Sequence, residues 1–496
     1  MIDAFITVFS PNVLIPWILA MALGIFIGAM PGLTATMGVA LIVPLTFHME
    51  PIAGLAMILG LSFTSIFAGD IPATFMRVPG TPASGVAVLD GFEMNKKGKG
   101  SLAIMLDLFC STLGGLIGVV LLITISPTLA TFALQFTHFE YFWLGLLGLS
   151  MSAVITKGSN VKGLISVVAG LLISTIGIDV ATGYPRFTFG NIYLISGIDF
   201  IPVMIGLFGI SEVIRDLASQ SQDTLSGAAV VETSKTNPKE VLRVMGKHKR
   251  VIAQSSIIGT LIGALPGAGA DIAAWVAYGF AKKTSKHPEA FGTGSEEGVI
   301  APTTANNAAL GGTWIPALVF GIPGDTITAI VLGAMLMYGL KPGPLVFINN
   351  KELINQIFAV ALSSQMFVLI LGFIGIKAFS YFFKAPRNVV LAGITIFSLI
   401  GAYAIRASTF DVLLVIIFGV LGFFMEKVDM PLSPLILGLV LGPMIEDNLR
   451  IGLIKTDNQF LPFLTRPISF VFAVILALTF LYEPIKSFIA RRIKKS

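Results

Sequence analysis

Runs of apolar residues, each about 18 or more long, recur along this chain with short polar stretches between them. A helix of that length crosses the roughly 30 Å hydrocarbon core of a bilayer. Membrane β-barrels show alternation in segments of about 10 residues instead. The pattern predicts spans near 102–125, 140–156, 161–177 and 197–214, then near 352–378, 388–405, 409–426 and 431–446, and a last one at 467–485. The opening "MIDAFITVFSPNVLIPW" lacks a basic stretch and a small-residue cleavage site, so it reads as a first span. The expected fold class is an all-α polytopic membrane protein.

Two stretches interrupt the pattern. "GIFIGAMPGLTA" (24–35) sets proline and glycine inside an expected helix, and "GTLIGALPGAGA" (259–270) does the same 235 residues later. Gly24, Ile27, Gly28, Ala29, Pro31, Gly32 and Ala35 match Gly259, Ile262, Gly263, Ala264, Pro266, Gly267 and Ala270. A second pair, "IPATFMRVPG" (71–80) and "IPALVFGIPG" (315–324), matches at an offset of 244 residues. The extra length falls in the polar loop 281–298. Each half therefore reads as span, Pro-Gly break, short apolar segment, span, second Pro-Gly break, polar-tipped segment and four spans. The expected division is a first repeat over 1–217, a cytoplasmic linker over 218–250, a second repeat over 251–457, and a final helix with a basic tail over 458–496.

Lysine and arginine favour cytoplasmic loops. Lys96, Lys97 and Lys99, the segment 235–250, Lys282, Lys283 and Lys286, Lys384 and Arg387, and the tail "KSFIARRIKKS" are placed inside. The amino terminus, with no basic residue before Arg77, is placed outside. Lys157 and Lys162 then fall inside, while Arg186, Arg406, Arg450 and Arg466 fall outside. The two copies come out inverted in the membrane, with broken or re-entrant helices, the architecture of secondary transporters. Segments 33–47 and 268–282 either cross or re-enter, giving roughly 11–15 crossings.

Composition supports this. Of 496 residues, 55% are hydrophobic and 12% charged, with mean hydropathy +0.89. The 52 glycines and 26 prolines are many for plain spans, and broken helices persist at membrane depth only inside protein or beside a water-filled cavity. The net charge of +5 lies in loops and sets orientation, so no nucleic-acid partner is expected. A single cysteine, Cys110, rules out a disulfide framework. His48, His138, His248 and His287 are not paired at metal-ligand spacing. No Walker, HExxH or GxSxG motif is present. No cofactor, no structural metal and no enzymatic activity are expected.

A helix that stops at Pro-Gly frees carbonyls, and the next helix opens with free N–H groups and a positive dipole end. Such N–H groups bind anions, and freed carbonyls bind cations such as Na⁺. Candidate substrate or ion residues therefore cluster at the breaks: Gly32, Thr34 and Thr36; Thr64, Ser65 and Asp70; Gly80, Thr81 and Ser84; Gly267, Gly269 and Asp271; Asn306 and Asn307; and Gly324, Asp325 and Thr326. Helix capping accounts equally for the aspartates, and interhelical bonding for the asparagines. Arg77 reads as a partner for a carboxylate or for Asp70, or as an interfacial arginine. A membrane-embedded enzyme would need the three aspartates gathered on one side, and a passive anion channel would use the same breaks without a coupling ion.

"GIFIGAMPGLTATMGVALIVPLTF", "GALPGAGADIAAWVAYGFAKKTSK" and "NNAALGGTWIPALVFGIPGDTITAIVLGAMLMYGLKPGP" give the chain a resemblance to the large membrane subunit of the tripartite tricarboxylate transporters, over nearly its whole length. The resemblance implies a permease of the bacterial inner membrane that works with a small four-span membrane subunit and a periplasmic solute-binding protein. It implies uptake of citrate or other organic carboxylates by symport with Na⁺ or H⁺, with elevator-type movement and with the breaks as substrate and cation sites.

Overall fold

The structure, a computed structural model, describes residues 2–30, 32–155, 159–179, 182–219, 237–382 and 387–479. Pro31, Lys157, Lys235, Lys384, the basic tail and most of the linker 218–250 lie outside the described residues. The first part of the chain forms α1 (Ile2–Val8), α2 (Pro11–Ala29), α3 (Ala35–Thr46), α4 (Pro51–Ala68), α5 (Asp70–Met76), α6 (Ala87–Lys96), α7 (Gly100–Ala133), α8 (His138–Ile155) and α9 (Asn160–Ser174). Prolines open α2 and α4, where a missing N–H costs nothing. Helix α10 (Phe200–Met204) passes through a π-helical stretch, Ile205–Ile210, into α11 (Ser211–Ser219).

The second part forms α12 (Pro238–Lys247), α13 (Lys249–Gly263), α14 (Gly269–Thr284), α15 (Glu296–Phe320), α16 (Thr326–Met337), α17 (Val346–Asn349), α18 (Lys351–Phe382), α19 (Arg387–Arg406), α20 (Thr409–Lys427), α21 (Ser433–Lys455) and α22 (Pro462–Thr465). A two-residue ladder pairs Gly177–Ile178 with Pro185–Arg186. Among the described residues, six helices are long and apolar enough to cross a membrane, and four shorter apolar helices accompany them. The chain is an all-α polytopic membrane protein. Helices α3 and α16 have 12 residues each. At 1.5 Å per residue they reach about 18 Å, too short to cross by themselves.

The chain packs as two compact units. One comprises Met1–Ala130 with Asp199–Val428, the other Thr131–Ile198 with Asp429–Ser496. In the larger unit, glycine pairs at i, i+4 let helices touch backbone to backbone. A Cβ on Gly24 would stand 2.6 Å from the Leu61 carbonyl oxygen, and one on Gly28 2.2 Å from that of Ser65. The second copy repeats the contact: Gly259 meets the Ala305 carbonyl at 2.4 Å and Gly263 that of Ala309 at 2.3 Å. Gly114 and Gly118 seat α7 on the Thr304 and Ala308 carbonyls in the same manner.

The copies also exchange partners. Helix α3 of the first packs on α16 of the second, and α14 of the second packs on the 3-10 turn Pro82–Gly85 of the first. In the smaller unit α21 packs on α9 through Gly170 and Gly438 and on α8 through Gly145, which meets Ile445. Its buried Glu140 accepts from Ser469 (2.7 Å) and pairs with Arg466 (3.0 Å).

Candidate functional site

The breaks have the same shape in both copies. Helix α5 ends at Arg77 (φ 61°), and α15 ends at the equivalent Gly321 (φ 69°). Left-handed backbone suits glycine and is uncommon for arginine. Arg77 is exposed, with its guanidinium 5.8 Å from the Phe92 ring centre, whereas Asp70 is fully buried. At the first breaks Gly32 (φ 90°) and Gly267 (φ 81°) are equivalent too. Gly80 approaches the Gly28 carbonyl so closely that a Cβ would stand 2.1 Å from its oxygen, and Gly324 stands likewise over Gly263 at 2.7 Å.

Past each second break a polar residue opens the next helical turn. Thr81 precedes the turn Pro82–Gly85 and shares a 2.7 Å hydrogen bond with the Ser84 hydroxyl. Asp325 caps α16, accepting from the Thr328 N–H (2.8 Å) and hydroxyl (2.7 Å). The Gly267 N–H donates to the Gly324 carbonyl (2.8 Å), so the two breaks of the second copy are bonded together. Gly269 lies against Asp325, with 2.9 Å between its would-be Cβ and that of the aspartate.

A buried polar cluster spans both copies. Asp70, at the start of α5, accepts from the Asn306 amide of α15 (3.3 Å), and Asn306 Oδ1 accepts from the Asn307 amide (3.1 Å). Ser84 from the turn and Asp107 from α7 also contact Asp70. Asp107 accepts from Ser111 (3.0 Å). Asp70 Oδ1, Asp107 Oδ2 and Asn307 Oδ1 are buried without a hydrogen-bond partner. Each such atom costs about 1–3 kcal/mol while it stays unpaired, which makes this cluster the candidate site. Nearby in sequence on α7, Gly115 packs on Gln365 of α18, whose two amide atoms are also unpartnered.

The other expected residues are placed as follows. Thr64 is buried and donates to the Met21 carbonyl (2.8 Å), tying α4 to α2. Ser65 donates to the Ser62 carbonyl within its own helix (3.2 Å). Thr34 caps α3, accepting from Met37 N–H (3.1 Å), with Thr36 half-buried beyond it. Asp271 and Thr326 sit half-buried in the first turns of α14 and α16.

Two acidic residues were not anticipated. Asp107 lies inside the apolar run 102–125, and an acid at that depth is itself a signal of function. Asp90, on α6, offered no such signal. Its buried carboxylate accepts from the N–H groups of Gly292 (2.9 Å), Gly294 (2.8 Å) and Ser295 (2.7 Å) and from the Tyr278 hydroxyl (2.9 Å). It thereby clasps the loop before α15. Among the described residues no cluster of three His, Cys, Asp or Glu side chains forms a metal centre. An apolar groove between α2, α3 and α19, lined by Phe26, Leu41 and Phe397 among others, has no polar lining and suits an acyl chain rather than an anion.

A sequence model of the tripartite tricarboxylate transporter TctA family matches residues 14–437. An uncharacterized 52.8 kDa protein in the TAR-I ttuC' 3'region of Agrobacterium vitis is 34% identical over 465 residues, covering 94% of this chain and 92% of the relative. An uncharacterized protein in the TAR-II ttuC' 3'region of the same organism is 36% identical over 211 residues, covering 42% of this chain and 87% of the relative. No solved structure matches the chain.

Proposed function

Because the chain belongs to the tripartite tricarboxylate transporter TctA family, we propose that it is a secondary active importer of organic carboxylates driven by a Na⁺ or H⁺ gradient. A periplasmic solute-binding protein delivers its substrate, and a small four-span membrane subunit completes the assembly. The permease resides in a bacterial inner membrane, with its amino terminus periplasmic and its carboxyl terminus cytoplasmic. Its two repeats are inverted relative to one another.

The observation that supports this reading is the pair of unwound segments, 77–81 and 321–325, each seated on a glycine carbonyl of its own copy. Irregular backbone at membrane depth is tolerated where it serves a binding cavity. The Thr81 and Ser84 hydroxyls at the end of the first of these segments share a single hydrogen bond, which leaves one hydroxyl proton to offer a carboxylate. The Asp70, Asn306 and Asn307 cluster favours the coupling ion.

Uptake of labelled citrate into proteoliposomes holding the complete three-part system tests the reading. Accumulation should require the binding protein and an imposed Na⁺ or pH gradient. Uptake that ignores both would defeat it, and single-channel conductance would favour a passive pore.

A further inference from the structure

We infer that Asp70 and Asp107 together form a proton-binding site, holding one proton between two carboxyl groups in the interior of the larger unit. The two side chains meet at one turn of α15, Asp107 through Ser111, which also bonds the Thr303 carbonyl (3.2 Å), and Asp70 through Asn306, and each acts on the other. Their outer oxygens are satisfied, Asp70 Oδ2 by the Asn306 amide and Asp107 Oδ1 by the Ser111 hydroxyl. Their remaining oxygens, Asp70 Oδ1 and Asp107 Oδ2, are buried with no hydrogen-bond partner among the described residues, since Ser84, though it acts on Asp70, is hydrogen-bonded to Thr81. One proton supplies the donor both oxygens need. It bonds to one carboxylate, which then donates an O–H to the other, and the pair passes from two negative charges to one. Carboxyl pairs that share a proton are a recurring solution where like charges are held together.

The surroundings favour a proton over a metal ion. A metal cation needs several oxygens turned toward it. The open oxygens here, Asp70 Oδ1, Asp107 Oδ2 and Asn307 Oδ1, fall short of the roughly six that a hard cation takes, and each carboxylate has an N–H or O–H donor on its second oxygen. The groups acting on the pair are Ser84 from the 3-10 turn, Asn306 from α15 and Ser111 from α7, all neutral. Cys110 lies beside Asp107 as a buried thiol. Among the described residues no lysine, arginine or histidine acts on either carboxylate. Asn307 Oδ1, also unpartnered, extends the chain Asp107–Asp70–Asn306–Asn307 by one acceptor.

The position gives the proton a use. Asp70 touches Ser84, which is bonded to Thr81 just past the Gly80 break. Gain or loss of the proton therefore alters a charge that bears directly on the unwound segment. In the carrier proposed above, on which this part of the inference rests, it is the coupling ion.

Infrared difference spectroscopy of the purified protein in lipid tests the site without reference to transport. At neutral pH the wild type should show a protonated-carboxyl C=O band that Asp107→Asn and Asp70→Asn each remove. Raising the pH should abolish the band in the wild type alone, and Na⁺ at fixed pH should leave it unchanged. Ser111→Ala, which keeps both carboxyls, should shift the band and so serves if the asparagine variants do not fold. A band that persists in Asp107→Asn, or one displaced by Na⁺, would overturn the proton site. Failure of citrate uptake would count against the carrier and leave these spectra as they are.

Discussion

At the scale of single residues, the structure separates groups that hold helices together from groups with unused bonding capacity. Thr64 belongs to the first kind, because its hydroxyl donates to the Met21 carbonyl across the α2–α4 contact. Thr64→Val should lower stability by about 1 kcal/mol and leave citrate uptake per folded molecule unchanged, as read by thermal unfolding beside a transport assay. Asn307 belongs to the second kind. Asn307→Ala should abolish uptake while the protein inserts and purifies normally, and retained uptake would remove Asn307 from the site. Glycine can be judged in the same way. Gly28→Ala drives a Cβ into the Ser65 carbonyl and should cost about 1–3 kcal/mol or more. Gly393→Ala, on α19 with open space beside it, should be neutral or gain up to about 1 kcal/mol.

At the scale of elements, the helix starts after the breaks are built by caps. Asp325 and Thr328 form a reciprocal capping box on α16. Removing it with Asp325→Ala should cost about 0.5–2 kcal/mol and impair uptake. Asp325→Asn keeps the cap. If the carboxylate serves only as a cap, the asparagine variant transports normally; if the charge itself is used, both variants fail. The Asp90 clasp makes the corresponding case for the loop before α15. Four donors converge on its carboxylate, and an amide would turn two N–H groups toward them. Asp90→Asn should therefore lower stability by about 2 kcal/mol, visible as a reduced melting temperature in detergent.

At the scale of the whole molecule, the four arginines that run against the charge-based orientation share one property. Arg186 pairs with Glu446 (2.6 Å), Arg406 with Asp411 (2.6 Å), Arg450 with Asp179 (2.9 Å) and Arg466 with Glu140 (3.0 Å). A basic residue neutralised by a neighbour exerts less pull toward the cytoplasm than a free lysine. Orientation is tested by cysteine labelling in a Cys110→Ala background. Phe189→Cys, in an exposed loop, should react with a membrane-impermeant maleimide in spheroplasts. Lys286→Cys should react only after lysis. The reverse result would invert the proposed topology.

The sequence by itself determined that this is a membrane protein of helices, where most of those helices run, and that two breaker motifs recur. Those properties follow from local composition: apolar length sets a span, and Pro-Gly sets a stop. The contacts of the two copies keep the same offsets, Gly24 on Leu61 matching Gly259 on Ala305, because duplicated sequences reproduce duplicated contacts. Only the tertiary structure decided how the polar residues divide. Thr64 and Asp325 look alike in sequence as small polar groups beside a break, yet one ties two helices and the other caps a third. Asp107 was visible as an acid in an apolar run, but nothing local placed it against Asp70. That contact depends on α7 seating its glycines on α15, a long-range packing event that leaves no periodicity to read. Asp90 acquired its partners from a loop about 200 residues away for the same reason.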